Sequence, residues 1–166
     1  HALVRTALTA LRRNLGDKIH LMAGNVATLE AFNDLADWGA DSIRVGIGGG
    51  SICSTRINTG HGVPTLQSVM DCALSNRDAK LIADGGIRNA GDIVKALAAG
   101  ADFVMLGSML AGTDESPGEI FTSENKKYKV YRGMASRSAQ MDWRGKSSSP
   151  EGVSTTIPYK GSVVDI

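Results

Sequence analysis

The residues whose types and spacing most clearly suggest reactivity lie in a glycine-rich segment around Cys53. The run Gly48-Gly49-Gly50-Ser51-Ile52-Cys53-Ser54-Thr55-Arg56 places a cysteine in a polar loop, unlike the setting of a cysteine buried for packing. Arg56 and the N–H groups of the loop would favour the thiolate, which is the nucleophilic form of cysteine. Cys72, in contrast, falls inside a predicted helix and is interpreted as core packing. We therefore predict that Cys53 acts as a nucleophile.

Two further glycine-containing turns could bind a sugar phosphate. The N–H groups of Gly86, Gly107 and Ser108 could point at a phosphate, helped by a helix N-terminus. Asp84 stands beside them, and a carboxylate suits a vicinal diol because it accepts two hydroxyl hydrogen bonds. A sugar and a phosphate together suggest a nucleotide. On spacing alone, glycines that only make tight turns explain these segments equally well.

Alternating helices and strands are predicted to position these turns. Apolar residues at helical spacing indicate four helices, the second of which Thr28 would cap. Short apolar runs indicate strands at residues 20–23, 42–46, 80–83 and 102–106. This alternation is typical of a parallel sheet, at whose carboxyl edge ligands bind. Gly39-Ala40-Asp41 recurs as Gly100-Ala101-Asp102 two βα units later, a repetition common in (β/α)8 barrels. An open doubly wound sheet is the competing fold, but no G-x-G-x-x-G opens a first helix.

The predicted strands are too few for a closed barrel. A TIM-type (β/α)8 barrel needs eight strands and about 250 residues, and the sequence has four predicted strands in 166 residues. The other half could lie on another chain, two copies could associate, or the chain could be part of a longer protein. We expect one partial catalytic barrel domain over 1–166, of class α/β. Its βα units fill 1–112, and a weakly structured flap and C-terminal segment fills 113–166.

Composition narrows the function classes. The 18 Lys and Arg residues nearly balance 17 Asp and Glu, which gives no electrostatic case for binding nucleic acid or an anionic membrane. No run of about 18 apolar residues predicts a membrane span. The two cysteines fit neither a disulfide framework nor a metal-ligand spacing. We expect a cytoplasmic protein in a reducing compartment.

Five blocks, in order, resemble the IMP dehydrogenase/GMP reductase family. The first block, residues 46–56, is similar to the family's cysteine loop, and we call this segment the cysteine loop. The others resemble the ribose-binding strand end, the phosphate-binding turn, the segment that holds phosphate and base, and the end of the flap with its return strand: residues 83–87, 105–108, 131–134, and 151–152 with 158–161. The resemblance covers the whole chain. It implies the second half of the catalytic barrel, from the fourth helix onward.

The resemblance implies a role for each matching residue. Cys53 would attack C2 of a purine, and Thr55 would help activate water or the leaving ammonia. Asp84 would bind the ribose hydroxyls, and Asn25 would lie beside the purine. The phosphate would be held by Ser51, Gly86, Gly107, Ser108 and Tyr131. The base would be met by Gly133, Met134, Ala135 and Glu151. The carbonyls of Gly48, Gly50 and Cys53 resemble the family's site for a monovalent cation, K⁺.

The choice between the two family activities depends on the flap. The dehydrogenase hydrolyses the covalent adduct with an Arg-Tyr pair, which residues 135–150 lack. The reductase uses a Thr–Glu pair, and its glutamate is expected shortly after Gly133-Met134. Residues 135–141 carry no carboxylate, and Asp142 is the first to follow. The resemblance favours a GMP reductase that converts GMP and NADPH to IMP and ammonia. An IMP dehydrogenase using NAD, or a nucleotide-binding half-barrel without turnover, is the alternative. We expect a homo-oligomer such as a tetramer, or association with the missing N-terminal half.

Overall fold

The computed structural model describes residues 1–148 and 152–166 as two compact units. The first unit is His1–Gly49 with Gly62–Met105, and the second is Gly50–His61 with Leu106–Ile166. The first contains α1 (Ala2–Leu15), β1 (Met22–Val26), α2 (Leu29–Asp37), β2 (Ser42–Val45), α4 (Thr65–Cys72), β3 (Lys80–Asp84), α5 (Ala90–Ala98) and β4 (Phe103–Met105). The second contains α3 (Thr55–Thr59), β5 (Ile120–Ser123), β6 (Lys126–Arg132), α6 (Arg137–Arg144) and β7 (Ser154–Pro158). None of the helices described is long and apolar enough to cross a membrane.

A four-stranded parallel sheet forms the centre of the first unit, as predicted. Its order is β1-β2-β3-β4, and all three pairings are parallel. The central strands carry the core, with Ile43 and Val45 of β2 and Ala83 of β3 at 0% exposure. Such continuous burial on both faces is typical of a parallel sheet covered by helices.

Capped amphipathic helices cover the sheet. The Thr28 hydroxyl accepts the N–H of Ala31 at 3.3 Å and begins α2, as the sequence predicts. Helix α2 buries Phe32, which is 1% exposed. Burying a side chain of this size removes enough apolar surface to contribute about 2 to 3 kcal/mol. Cys72 of α4 is buried in the same core, which agrees with its interpretation as a packing residue.

The repeated Gly-Ala-Asp turn is a structural repeat as well. The N–H of Asp41 donates to Leu21 O at 2.9 Å, and the Leu21 N–H donates back to the Asp41 carboxylate at 2.6 Å. Asp102 and Leu81 make the same pair of bonds, at 2.9 and 2.8 Å. Each aspartate therefore fixes the start of the preceding strand against the turn that leads into its own strand.

The sheet ends in open edges on both sides. Met22 on β1 is 53% exposed and Phe103 on β4 is 58% exposed. The apolar face predicted for α1 is also largely uncovered, because Leu8 is buried while Leu3 and Leu11 stay exposed. The four strands of this sheet therefore leave apolar surface that a larger assembly would bury.

The second unit corrects the prediction that residues 113–166 are weakly structured. Strands β5, β6 and β7 form an antiparallel sheet in that order. Helix α6 belongs to the connection that follows β6 and precedes β7 in the chain. The buried position in β6 is Lys129, whose ammonium donates to the carbonyls of Thr113 at 2.8 Å and Ser116 at 2.5 Å. The sequence suggested only that residues 126–130 could be half of a hairpin, and β6 paired with β5 confirms this. A buried lysine paired with carbonyls gives no apolar periodicity, so the rest of the sheet was not predicted.

Candidate active site

Asn25 sits in a bulge of β1 and not beyond its end. The sequence predicted that the strand stops at Gly24-Asn25, but pairing continues to Val26 with a register shift between Gly24 and Val26. A bulge leaves one residue outside the ladder and re-aims its side chain. The side-chain amide of Asn25 accordingly donates to Gly46 O at 2.9 Å and to Oδ2 of Asp84 at 2.7 Å. The Gly24–Asn25 peptide bond is cis.

The Asp84 carboxylate lies at the carboxyl end of β3 within a cluster of polar side chains. Its Oδ2 accepts from Asn25 and also from the Arg44 guanidinium, at 3.0 Å from Nε and 2.6 Å from Nη2. The Asp84 side chain is 17% exposed and that of Arg44 is 40% exposed. Two residues predicted to bind substrate, Asn25 and Asp84, are thus in direct contact. Arg44 was missed, because a lone arginine in a strand carries no motif.

Glycines bring the backbone after β2 close to the end of β3. A Cβ at Gly46, whose φ is 143°, would overlap the carbonyl oxygen of Asp84. A Cβ at Gly49 would come within 2.5 Å of the Thr65 hydroxyl. Gly86, with φ 83°, is exposed at the neighbouring turn. These close approaches explain Gly46 and Gly49 as packing requirements, and the phosphate role of the exposed Gly86 stays a prediction.

Cys53 lies in a tight turn of the second unit. Its N–H donates to the carbonyl of Gly50 at 3.2 Å, and its side chain is half-buried. Helix α3 begins two residues later at Thr55, also half-buried, in a region that the sequence predicted to be loop. Ser51 is exposed on the same turn. The cysteine is therefore held by ordered backbone on both sides and is reachable from solvent.

Residues near the C-terminus hold residues 50–56, the part of the cysteine loop that belongs to the second unit. The N–H of Gly152 donates to Ser54 Oγ at 2.8 Å, and the N–H of Val153 donates to Ile52 O at 3.2 Å. Val153 O in turn accepts the N–H of Gly133 at 3.3 Å. The two neighbours of Cys53 thus attach to the segment that enters β7, which lies beside the segment predicted to meet the base.

The predicted phosphate turn contacts Tyr131. A Cβ at Gly107 would lie 2.9 Å from the Tyr131 hydroxyl, so these two predicted phosphate residues are neighbours. Lys160 holds the same turn from its carbonyl side, with Nζ 2.8 Å from the oxygens of both Ser108 and Met109. The turn is therefore polar and its carbonyls are held by Lys160, and its role in binding phosphate stays a prediction.

The predicted base-binding segment leads into α6. The carbonyl of Gly133 accepts the Ser136 N–H at 3.0 Å, and the carbonyl of Ala135 accepts the Gln140 side-chain amide at 2.8 Å. Met134 is 83% exposed. Gln140 therefore holds this segment from within the protein, while Met134 as a residue stays largely exposed. Glu151, predicted to meet the base with its carboxylate, lies outside the described residues.

Asp142 is the first carboxylate of the flap, and it forms an ion pair. Its Oδ2 is 2.5 Å from Nη1 of Arg132, and the Asp142 side chain is 65% exposed. This pairing orients the carboxylate toward β6. Solvent screening keeps the energy of such an exposed pair small, on the order of 0.5 kcal/mol. Asp142 therefore remains reachable by a ligand at little cost.

The predicted cation ligands are backbone carbonyls in different environments. Gly48 is buried with φ 85°, whereas Gly50 is exposed and its carbonyl accepts the Cys53 N–H. A carbonyl oxygen has two lone pairs, so this bond leaves capacity for a hard cation. Across residues 1–148 and 152–166, no group of three or more His, Cys, Asp or Glu side chains could hold a metal ion. The carbonyls of Gly48, Gly50 and Cys53 stay the predicted ligands of the monovalent cation.

The second cysteine has no features of a nucleophile. Burial raises the pKa of the Cys72 thiol to about 11, with a smaller contribution from the charge of Asp71. The thiol therefore stays protonated at neutral pH, which suits packing and not attack. Cys53, in contrast, is half-buried, and its role as a nucleophile stays a prediction.

Comparison with known proteins identifies the family. The model of the IMP dehydrogenase / GMP reductase domain matches residues 1–166. An inosine-5′-monophosphate dehydrogenase of Nitrosopumilus maritimus is 50% identical over 160 residues, covering 88% of this chain and 34% of the relative. A GMP reductase of Leishmania major is 49% identical over 170 residues, covering 95% of this chain and 35% of the relative. Both names are those of oxidoreductases.

A solved structure gives the same result for the fold. The crystal structure of a cysteine-to-alanine variant of GMP reductase from Trypanosoma brucei, in complex with guanosine 5′-monophosphate, matches with a TM-score of 0.87 and 43% identity. The match covers 96% of this chain and 34% of that one. The chain thus spans about a third of the length of the relatives it matches. It belongs to the IMP dehydrogenase/GMP reductase family.

Proposed function

We propose that the chain is the nucleotide-binding half of the catalytic barrel of a GMP reductase, an enzyme that converts GMP and NADPH to IMP and ammonia. The observation that carries the proposal is the similarity at 43% identity to a GMP reductase crystallised with GMP. The sequence supports the reductase because residues 135–150 lack an Arg-Tyr pair that could activate water. The proposed substrate is therefore a purine nucleoside monophosphate with an amino group at C2.

The proposed chemistry begins at Cys53. Its thiolate forms a bond to C2 of GMP, and the C2 amino group leaves as ammonia after taking a proton, which gives a thioimidate. When bound, NADPH would supply the hydride for C2 and become NADP⁺. The bond between the Cys53 sulfur and C2 would then break, which releases IMP and regenerates the thiolate. Thr55, at the start of α3 two residues from Cys53, is assigned to move the proton to the departing amine. The half-buried, solvent-reachable position of Cys53 supports the attack.

The remaining predicted residues are assigned to binding the nucleotide. Asp84 would accept hydrogen bonds from the ribose, with Asn25 beside it. N–H groups and hydroxyls would hold the 5′-phosphate, and the segment before α6 would meet the base through its backbone. The phosphate residues are Ser51, Gly86, Gly107, Ser108 and Tyr131. The base residues are Gly133, Met134, Ala135 and Glu151. The contacts of Asn25 with Asp84 and of Gly107 with Tyr131 support this grouping within each unit.

We assign the cation and the missing strands in the same way. The carbonyls of Gly48, Gly50 and Cys53 would bind a monovalent cation such as K⁺, whose hydration shell carbonyl oxygens can replace. The four parallel strands would be half of a (β/α)8 barrel, completed by further βα units or by a second copy. The exposed apolar residues on β1 and β4 support this assignment.

Two other functions remain as named alternatives. The 50% identity to an inosine-5′-monophosphate dehydrogenase favours oxidation of IMP with NAD, by hydrolysis of the same kind of adduct. A half-barrel that binds the nucleotide without turnover is the third possibility. It is favoured by the absence of a carboxylate from residues 135–140, where the reductase pattern expects a glutamate.

One set of assays separates the three functions. With GMP, a reductase consumes NADPH, seen as loss of its near-ultraviolet absorbance, and releases ammonia. With IMP and NAD, a dehydrogenase produces the opposite absorbance change. Tight binding of either nucleotide with neither signal leaves only the binding module. Cys53→Ala should abolish turnover and keep nucleotide binding, while Cys72→Ala serves as the matched cysteine control. Wild-type turnover by Cys53→Ala would overturn the covalent mechanism.

A further inference from the structure

The guanidinium of Arg44 approaches Asp84 in an unusual way. Arginine often binds a carboxylate with two nitrogens on two oxygens. Here Nε and Nη2 both donate to the same oxygen, Oδ2, at 3.0 and 2.6 Å. The Asn25 amide donates to that oxygen too, at 2.7 Å. Three donors thus converge on one carboxylate oxygen.

The other oxygen of Asp84 is left for a ligand. Within residues 1–148 and 152–166, all three of these donors use Oδ2 and Oδ1 accepts no hydrogen bond, so the lone pairs of Oδ1 are available to a donor from a ligand. The side chain is 17% exposed, so the carboxylate is reachable and yet mostly shielded. In such a setting a charge-assisted hydrogen bond to a ligand hydroxyl is stronger than it would be in water.

The positions of the three residues in the sheet explain the arrangement. Arg44 pairs with Ile82 in the register between β2 and β3, two residues before Asp84, and its side chain runs along the sheet toward the strand end. The bulge in β1 turns Asn25 toward the same point. Strands β1 and β2 therefore each contribute one donor side chain, and both side chains bind the carboxylate oxygen that β3 supplies.

We propose that Arg44 is a positioning residue for ribose recognition, fixing the Asp84 carboxylate through Oδ2 so that Oδ1 faces a ribose hydroxyl. This inference rests on the proposed nucleotide function and deepens it. Arg44 itself touches no reacting atom in this assignment. Arg44 would instead affect which sugar the site accepts. A carboxylate held in one orientation distinguishes a sugar that has the hydroxyl from one that lacks it better than a carboxylate that rotates freely.

The test compares GMP with 2′,3′-dideoxy-GMP by calorimetric titration of the purified protein. Arg44→Met removes the donors and keeps much of the side-chain volume. We expect it to raise the Kd for GMP by about tenfold, the value of one charge-assisted hydrogen bond, and to leave the Kd for the dideoxy nucleotide unchanged. Arg44→Lys keeps the charge without the paired donors, and its Kd for GMP should lie between that of the wild type and that of Arg44→Met. An equal loss for both nucleotides would mean a merely structural role and would overturn the proposal.

Arg77→Met is the matched control. Arg77 makes an ion pair with Asp37, at 2.8 Å from Nε and 3.0 Å from Nη2, on the loop between α4 and β3 at the amino end of the sheet. This variant loses a comparable pair away from Asp84, and its preference for GMP over the dideoxy nucleotide should equal that of the wild type. An equal change of preference in Arg77→Met and Arg44→Met would count against a specific role for Arg44.

A crystal structure of Arg44→Met without nucleotide separates this proposal from the proposed function. If the wild-type protein binds no purine nucleotide, the proposed function fails. The orientation of Asp84 then still decides the positioning role. A carboxylate that rotates away from the strand end in the variant supports it, and a carboxylate that keeps its orientation overturns it.

Discussion

The N–H of Gly152 donates to the hydroxyl oxygen of Ser54 at 2.8 Å, which ties the entrance of β7 to the residue next to Cys53. The adjacent bond from Val153 N–H to Ile52 O, at 3.2 Å, makes this a two-point attachment. The residues on both sides of the proposed nucleophile are therefore held by the segment that follows α6, Ile52 through its backbone carbonyl and Ser54 through its hydroxyl. The geometry of the cysteine should depend on this attachment.

Removing the Ser54 hydroxyl should lower turnover more than stability. Ser54→Ala deletes one hydrogen bond and should change the free energy of unfolding by about 1 kcal/mol. Because the loss falls beside Cys53, we expect a several-fold drop in kcat/KM for GMP, measured by NADPH consumption. Ser154→Ala is the control. The Ser154 hydroxyl forms a hydrogen bond of 2.7 Å with Ser138 Oγ, and neither residue belongs to the cysteine loop. Equal kcat/KM values for the two variants would refute a role for the attachment.

Alkylation should separate the two cysteines by pH. The pKa of Cys72 is raised to about 11, so its reactive thiolate is scarce until the pH approaches that value. Iodoacetamide at neutral pH should therefore label Cys53 and spare Cys72, and GMP should protect Cys53. Mass spectrometry of the peptides measures both. Labelling of Cys72 at the rate of Cys53 would contradict the assignment, provided that the protein remains folded by circular dichroism.

The sequence predicted the parts of the fold that have regular apolar patterns. The parallel sheet and its caps, such as Thr28, follow from hydrophobic periodicity and hydroxyl placement. The repeat around Asp41 and Asp102 was visible as a motif, and the structure shows that it encodes identical hydrogen bonds. The location of Asn25 was expected at the end of a strand, but only coordinates reveal the bulge that turns its side chain.

Long-range polar contacts account for what the sequence could not predict. Arg44 acts on Asp84, 40 residues away in the chain, and neither residue type signals the other. The sheet formed by β5, β6 and β7 has a buried position at Lys129, so its burial is paired with carbonyl hydrogen bonds instead of apolar contacts. Pairing of this kind depends on the fold and leaves no period in the sequence.

A methyl group at Gly107 should disturb the phosphate turn through Tyr131. Gly107→Ala places a Cβ 2.9 Å from the Tyr131 hydroxyl, closer than a carbon and an oxygen normally pack. We expect the phenol to move and the affinity for GMP to fall by about tenfold, the value of one hydrogen bond to a charged group. The affinity for guanosine, which lacks the phosphate, should stay near the wild-type value. Calorimetric titration measures both.

The double variant Gly107→Ala/Tyr131→Phe tests the cause of that loss. Removing the hydroxyl relieves the overlap, so adding Tyr131→Phe to Gly107→Ala should cost less than it costs in the wild type. Fully additive losses would show that the two residues do not act on each other. An equal loss of guanosine and GMP affinity would place the effect on the base and not on the phosphate.

The open sheet edges should make the chain associate. Met22 and Phe103 are exposed on the two edge strands, where unpaired N–H and C=O groups accompany them. We expect the 166-residue chain to sediment as a dimer or larger species. Phe103→Lys should weaken this association, because a charge at the edge opposes strand pairing. Lys126→Glu, on β6 of the other sheet, is a control for altered charge. A well-behaved wild-type monomer would contradict the half-barrel assignment.

Asp41 should contribute stability that disappears in acid. The Leu21 N–H bond, with help from Arg12, lowers the pKa of Asp41 below its ordinary 3.8 in the folded chain. The contribution is therefore complete above the unfolded pKa and is lost as pH falls through the lower folded pKa. The side chain is 39% exposed, so solvent screening limits the contribution to about 1 kcal/mol.

Urea unfolding of Asp41→Asn at two pH values measures this contribution. At pH near 7 the variant should unfold at lower urea than the wild type, and the gap should narrow as pH falls below the ordinary value of 3.8. Asp17→Asn is the control, because the Asp17 side chain is fully exposed and lies 3.6 Å from the same arginine. A gap that stays constant with pH would show that the Asp41 contribution comes from side-chain shape and not from its charge.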